Sequence, residues 1–327
     1  MNWDEGFTTF VTGGAGFIGS HLVDLLLSKG AKVQIVDNLS RGENVNPLAT
    51  LWLEDLEQGC STFPPGSVVF HLAAKVTGIE YNRHHHYDMM MRNLAINYQV
   101  CEAVRRARPR LFVFVSTACV YPHDAPVPTP ESAAEVCEPE PTNRGYGIAK
   151  WVGEQMAQYL YLEHDIPTVI VRFFNAFGPR DYYDEETSHV APALIKRVLD
   201  GENPVVIWGS GDQTRALVDA RDIAQALVGI AEKMEPAFEE CPSGLTLDPV
   251  FNIGHKREIS IRELAEAIVK LSGREDVTLV LDKSKPDGYP RRAADTKRLR
   301  QLLGWVPDTP LAVTLTDMIE DYRARGE

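Results

Sequence analysis

Residues 8–19 read Thr-Thr-Phe-Val-Thr-Gly-Gly-Ala-Gly-Phe-Ile-Gly, and the fold follows from how that stretch changes texture. It opens with a short run of β-branched and aromatic residues, the composition of a buried strand. From residue 17 to 27 the apolar side chains recur at helical spacing, and Gly30 stands where a helix C-cap belongs. Between strand and helix, Gly13, Gly16 and Gly19 fall with GxxGxxG spacing. Such a turn lets the chain fold back tightly at Gly13, brings the backbone at Gly16 close to a pyrophosphate, and packs the helix closely at Gly19. The helix N-terminus then offers its N–H groups to the anion. Glycine-rich turns are common, so the spacing alone proves little. Here residues 33–36 read as a second buried strand ending at Asp37, where a carboxylate accepts both hydroxyls of a ribose. The combination predicts a dinucleotide site. The charge of Asp37 selects NAD over NADP by repelling a 2′-phosphate, with Arg41 as the opposing signal. Gly13, Gly16, Phe17, Ile18, Gly19, Asp37 and Asn38 form this half of the expected coenzyme site.

Outward from that turn the pattern repeats. Residues 67–72, 111–116 and 168–173 read as strands, with helices at 89–107 and 146–164 between them. Strands alternating with crossover helices predict an α/β fold, a Rossmann-type doubly wound parallel sheet whose ligand crevice lies at the carboxyl ends of the strands. After residue 173 the chain turns rich in Gly, Pro and charge, with helices expected at 191–199, 261–271 and 311–325 and a strand at 205–208. Residues 219–233, as a helix, and 250–253, as a strand, are apolar enough to pack back on the first part. The expected organisation is an NAD-binding Rossmann domain of residues 1–174 joined by 216–253, and a smaller α/β substrate-binding lobe spanning mainly 175–327. The Pro- and Glu-rich residues 121–142 read as a long surface loop.

The net charge of −13 argues against broad nucleic-acid binding, which needs a basic face. An anionic ligand must therefore be held by a local basic cluster. Five cysteines, Cys60, Cys101, Cys119, Cys137 and Cys241, are widely spaced without a CxxC pair, which predicts neither a disulfide framework nor a zinc site. No metal is expected: His84, His85 and His86 are consecutive and cannot converge on one ion from a helix. A polar start leading straight into a strand, and no apolar run near the ~18 residues of a membrane span, predict a cytoplasmic protein without membrane contact.

Chemistry enters at Tyr146 and Lys150, a phenol and an ammonium one helical turn apart on the same face. A lysine cation and an oxidised nicotinamide nearby would lower a phenol's pKa from about 10 and make it a usable base. The strand end upstream brings the hydroxyl of Thr117 to the same crevice. Cys119, two residues on, is either a catalytic base or a small buried apolar residue. His189 opens a helix, as a catalytic group or as a solvated cap. Arg215 suits a diphosphate through bidentate contacts, or lies on the surface. By position, Asp55 and Leu56 reach adenine and Leu72, Ala73 and Ala74 line the nicotinamide side, with ordinary packing as the alternative for each.

From the TGGAGFIG turn to Trp305 the chain resembles the extended short-chain dehydrogenase/reductases that remodel nucleotide sugars. STACVYP (116–122), EPTNRGYGIAK (140–150), FFNAFGPRD (173–181), SHVAPALIKR (188–197) and IWGSGDQTR (207–215) resemble its GDP-mannose 3,5-epimerase and GDP-L-fucose synthase branches in particular. The resemblance implies Thr117, Tyr146 and Lys150 as the catalytic triad. It implies Asn175, Arg215, Arg291 and Arg292 at the substrate's diphosphate and Lys196, Arg197 and Trp208 near its nucleotide end. Lys75, Gly78, Arg180 and Val190 complete the implied substrate set. A nucleotide sugar, with GDP favoured, and a homodimer through helices 89–107 and 151–164 are also implied.

Two departures narrow the reaction. The family's 4,6-dehydratases carry Asp-Glu after the Thr, where Ala118 and Cys119 stand here. The fucose-synthase branch reduces with NADPH, which Asp37 opposes; the mannose-epimerase lysine falls near Val190, leaving His189 as the acid. The expected activity is epimerisation through transient C4 oxidation, with Cys119 and His189 exchanging protons at C3, C5 or both. A 4-epimerase, a dehydratase of other regiochemistry and a fucose-synthase-like epimerase/reductase are the enzymatic alternatives. A catalytically silent NAD sensor would be expected to lose Tyr146 or Lys150, and both are present.

Overall fold

A computed structural model describes residues 1–136, 138–184, 188–240, 249–285 and 289–326. Cys137, Cys241 and residues 241–248 of the 216–253 segment lie outside these. The glycine-rich stretch forms as its texture demands: strand Thr8–Thr12, a turn, and helix Phe17–Ser28. Thr8–Thr12 is an inner strand of a seven-stranded sheet, flanked on one side by Lys32–Asp37 and then Thr50–Leu53. On the other side follow Val68–His71, Leu111–Thr117, Thr168–Phe173 and Val250–Ile253. Every neighbouring pair runs parallel. The order of connection reverses beside Thr8–Thr12, so the glycine turn opens at the switch point where doubly wound sheets bind ligands. Thr50–Leu53 is not among the expected strands, being a four-residue edge strand too short to show alternation.

Alternation along the strands feeds two cores, one on each face of the sheet. Val113 and Val115 point to the side covered by helices Phe17–Ser28 and Ala220–Glu240, where Leu22, Leu26, Leu227 and Ile230 are fully buried. Phe112 and Phe114 point to the other, against Val100 and Val104 of helix His86–Ala107 and Ala157 of helix Arg144–His164. A separate core joins helix Val190–Leu199, strand Val205–Trp208, helix Ile261–Ser272 and helix Leu311–Ala324 through Ile195, Ile207, Ile268 and Met318. Helix Ile261–Ser272 starts with a capping box, Ser260 with Glu263, and ends on the left-handed Gly273.

Residues 121–142 form the expected long loop, exposed at His123, Asp124, Pro126, Pro128 and Glu135 but anchored to the sheet at several points. Tyr121, Thr129, Glu131, Ala134 and Glu140 are buried. The cause is a buried cation that needs partners. Arg172 bonds Glu154 through Nε (2.9 Å) and Nη2 (2.6 Å) and donates to the Tyr121 hydroxyl (3.0 Å) and the Glu131 carbonyl (2.7 Å). Tyr121 in turn donates to Asn252 Oδ1 at 2.6 Å. The loop is thereby pinned to the sheet, and Glu140 at its end is held next to the chemistry. The three consecutive histidines straddle the junction of helices Ile79–His84 and His86–Ala107, and no metal-ligand cluster occurs among the described residues.

Candidate active site

The coenzyme end is built from backbone. Gly13 has φ +71°, a conformation that side chains resist, and a Cβ there would lie 2.7 Å from the Ala73 nitrogen. At Gly19 a Cβ would lie 2.1 Å from the Gly13 carbonyl oxygen, so helix and turn touch with no room for a methyl. Gly16 caps the helix without a side-chain acceptor, and no acid sits in the first turn, leaving its N–H groups for an anion. Asp37 accepts from the Ala15 N–H (3.0 Å) and the Leu39 N–H (2.9 Å), one on each oxygen, so each retains a lone pair for a ribose hydroxyl. Burial raises its pKa, and those N–H groups pull back. This cradle, anion-ready helix end and terminal carboxylate fit an NAD.

Other residues expected here divide. Phe17, Ile18, Leu72 and Ala73 are part-buried against the cores around the turn, with the Leu72 and Ala73 N–H groups held by Thr12 (3.0 and 3.3 Å); Ala74 follows, also part-buried. Asn38 and Asp55 close small local turns, accepting from Ser40 and Glu57. Leu56 belongs to the core with Phe10 and Phe63, the packing role that was its alternative. Arg41, weighed above as a signal for a 2′-phosphate, donates to the Val76 carbonyl and lies 5.1 Å from the Tyr182 ring.

Four of the residues expected to be catalytic, Thr117, Cys119, Tyr146 and Lys150, lie around the carboxyl end of Leu111–Thr117. Thr117 ends that strand, and its hydroxyl accepts from the Cys119 N–H at 3.2 Å. Helix Arg144–His164 packs close because a Cβ at Gly147 would lie 2.4 Å from the Cys119 carbonyl oxygen, and it carries Tyr146 and Lys150. Lys150 is buried, donates to the Val115 carbonyl at 2.9 Å and lies 5.3 Å from the Phe114 ring centre; burial pulls its pKa down to about 8. The Tyr146 phenol is pushed up by burial and then by the neighbouring Cys119. That is opposite to the direction expected of the lysine pair, because desolvation outweighs any pull from an ammonium that is itself buried.

Cys119 sits in an unforeseen charge cluster. Arg292 Nη2 lies 3.7 Å from its sulfur and donates to the Ala118 carbonyl at 3.2 Å. Burial pushes the thiol up, and Arg292 pulls the other way. Arg215 is alongside, donating to the Thr214 (2.7 Å) and Tyr289 (2.8 Å) carbonyls, its pKa brought down to about 10 by burial and then by Arg292. Asn175, in a left-handed backbone conformation (φ +43°), bonds the carbonyls of Ala216 (3.3 Å) and Arg292 (3.1 Å) and so fixes both strands. Arg291 does not join its neighbour. Successive residues of a strand face opposite ways, and its guanidinium pairs with Glu258 at 2.6 Å.

His189 stands in a second cluster. Its Nδ1 bonds the buried Asp181 carboxylate at 3.1 Å, leaving Nε2 outward on a half-exposed ring. Asp181 raises its pKa against the opposing effect of burial. His189 therefore pairs with Asp181 and with no member of the Cys119 group. Among the remaining expected substrate residues, Arg180 pairs with Asp24 (2.7 Å), Lys196 with Asp200 (2.7 Å) and Arg197 with Glu202. Lys75 is held through its backbone by Asn93, Gly78 caps helix Ile79–His84, and Val190 and Trp208 are exposed, the latter under Lys285.

Glu140, Asp181 and Tyr289 border these clusters and are not among the residues expected from the sequence. Glu140 and Asp181 fall inside the stretches quoted above, but only Arg292, remote in sequence, and His189, across a loop, show what their carboxylates face.

A model of the NAD dependent epimerase/dehydratase family matches residues 9–254. A probable GDP-L-fucose synthase 1 of Oryza sativa subsp. japonica is 32% identical over 324 residues, 98% of this chain and 93% of the relative. GDP-L-fucose synthase of Escherichia coli (strain K12) is 30% identical over 312 residues, 94% of this chain and 93% of the relative. Among solved structures, UDP-glucose 4-epimerase with UDP-glucose from Thermotoga maritima gives a TM-score of 0.83 at 28% identity, covering 98% of this chain and 100% of that one.

Proposed function

The chain belongs to the NAD-dependent epimerase/dehydratase family of enzymes, and from that premise we propose that it epimerises a nucleotide sugar at C3, C5 or both through transient oxidation at C4. When bound, NAD supplies a reversible hydride acceptor for the sugar's C4 carbon. Tyr146 takes the proton of the C4 hydroxyl, Thr117 orients that oxygen, and the Lys150 charge on the same helix lowers the cost of the phenolate. A C4 ketone acidifies the hydrogens on its neighbouring carbons. Cys119 removes one of them, and His189, whose protonated form Asp181 favours, delivers a proton to the opposite face. The observation that carries this reading is the guanidinium of Arg292 at 3.7 Å from the Cys119 sulfur. A cysteine that only packs gains nothing from a guanidinium directed at its sulfur, whereas a thiolate base does.

Arg215 and Arg292, two cations to the one carboxylate of Glu140, leave net positive charge for a diphosphate in an otherwise acidic chain. We favour a GDP-sugar because the curated relatives above are GDP-L-fucose synthases. Residues 1–174 with 216–253 hold the coenzyme in this reading, and 175–327 mainly the sugar nucleotide. Exposed Tyr87, Met91 and Tyr98 on helix His86–Ala107, with Tyr159 and Leu162 on helix Arg144–His164, support a homodimer through these helices. A cytoplasmic location suits a free thiol at Cys119. No helix among the described residues is long and apolar enough to cross a membrane.

The likeness to a UDP-glucose 4-epimerase favours one second reading, epimerisation at C4 without Cys119. Incubation with GDP-, UDP-, CDP- and dTDP-sugars in deuterated water, with deuterium located by NMR, separates the two. The 3,5-type reaction places deuterium on C3 or C5 of one of these sugars; inversion at C4 with no carbon-bound deuterium contradicts it.

A further inference from the structure

Glu140 is a buried carboxylate that the mechanism above does not use. It lies on the last turn of the pinned loop before helix Arg144–His164 and accepts a hydrogen bond from Asn143 Nδ2, with the Tyr289 phenol nearby, whose pKa burial raises first and Glu140 further. Its Oε1 is 3.9 Å from Arg292 Nη1, while Nη2 of the same guanidinium lies 3.7 Å from Cys119 Sγ. The planar guanidinium thus has one nitrogen toward the carboxylate and another toward the thiol. Asn143 is itself fixed, accepting from Asn82 Nδ2 at 2.8 Å, so the carboxylate has little freedom to move. A buried charge with this many fixed partners is costly to keep unless its position matters to its neighbours.

We propose that Glu140, fixed across the guanidinium of Arg292 from Cys119, is a positioning residue whose negative charge sets how readily that thiol ionises. The charged and titratable groups facing the pair are Arg292 from strand Arg291–Arg292, Arg215 from strand Thr214–Arg215, Tyr289 beside them, and Tyr146 from helix Arg144–His164. At Cys119 the two charges act oppositely: Arg292 favours the thiolate, and Glu140 favours the thiol. Burial, the largest influence, also favours the thiol, so the two charges act on a sulfur already biased against ionisation. Losing the carboxylate charge while keeping its shape tips that balance toward thiolate.

This inference rests on Cys119 as the base, but its test reads the thiol without turnover, so the two readings fail separately. The pH dependence of iodoacetamide labelling is followed at the Cys119 peptide by mass spectrometry, in the wild type, Glu140→Gln and Arg292→Met. Glu140→Gln is expected to move the labelling midpoint down by about one pH unit, and Arg292→Met to move it up. A purely structural role for Glu140 predicts a lower melting temperature with the midpoint unmoved. An unmoved or raised midpoint in Glu140→Gln overturns the proposal. Should that variant not fold, Glu140→Asp keeps the charge and withdraws it by one methylene. A smaller downward shift is then expected, and no shift or an upward one overturns the proposal equally.

Discussion

The two ends of the crevice are made in different ways. At the coenzyme end, fixed backbone does the work: two glycines that tolerate no Cβ, a helix start without a side-chain cap, and one carboxylate held by N–H groups. At the sugar end, side-chain charges do it, and they come from chain segments that meet only in the folded protein: Cys119, Glu140, Arg215, Tyr289 and Arg292. A backbone site is rigid and fails by steric exclusion. A charge cluster is tunable and fails by shifts in ionisation. The difference teaches where substitutions abolish binding and where they alter rate or pH dependence.

The largest effect is expected at the backbone end. Gly19→Ala places a Cβ 2.1 Å from a backbone oxygen that has nowhere to retreat, so NAD binding by calorimetry is expected to vanish and the folded yield to drop. A variant that still binds NAD with near wild-type affinity would mean that the turn yields more easily than its contacts imply. Between the two ends, Tyr146→Phe keeps the ring and removes the proton acceptor. Turnover is expected to fall by about 10²–10⁴-fold while NAD binding persists. Equal losses in both would make Tyr146 part of the cradle.

How far each end is legible in the sequence follows from the same contrast. The cradle lies within residues 13–37 and is specified by residue type at fixed spacing, so the sequence alone reveals it. The placement of Tyr146 and Lys150 is legible for a similar reason, since the two share a helix face. The direction of the Tyr146 shift is not, because desolvation depends on packing that no local spacing reports. Arg292 is expected at a diphosphate, yet its contact with Cys119 depends on how strand Arg291–Arg292 lies against Thr214–Arg215. Treating Arg291 and Arg292 as a pair overlooks the alternation of a strand. Reading residues 121–142 as a surface loop misses its buried anchors because the demand for partners comes from Arg172, far along the chain.

On the charge-built side, Asp181→Asn probes the His189 cluster through pH. Asp181 raises the histidine's pKa, so protonated His189 persists to higher pH with the carboxylate than without it. The alkaline limb of the rate profile is therefore expected to move to lower pH in the variant. An unmoved limb would place the essential acid elsewhere. The smallest effect is expected of Arg291→Met, whose ion pair with Glu258 is largely exposed. Exposed pairs contribute about 0–1 kcal/mol, so stability and turnover should stay near wild type. A loss comparable with that of Arg292→Met would show that both arginines serve the substrate.

The central claim is that Cys119 is a base and not a packing residue, and deuterium exchange catalysed by Cys119→Ala tests it most directly. With a turned-over sugar nucleotide in deuterated water, the variant is expected to reduce NAD through Thr117, Tyr146 and Lys150, seen as absorbance of the reduced coenzyme, while deuterium at C3 and C5 disappears from the NMR spectrum. Undiminished deuterium incorporation in Cys119→Ala, at the wild-type rate and position, would contradict the account.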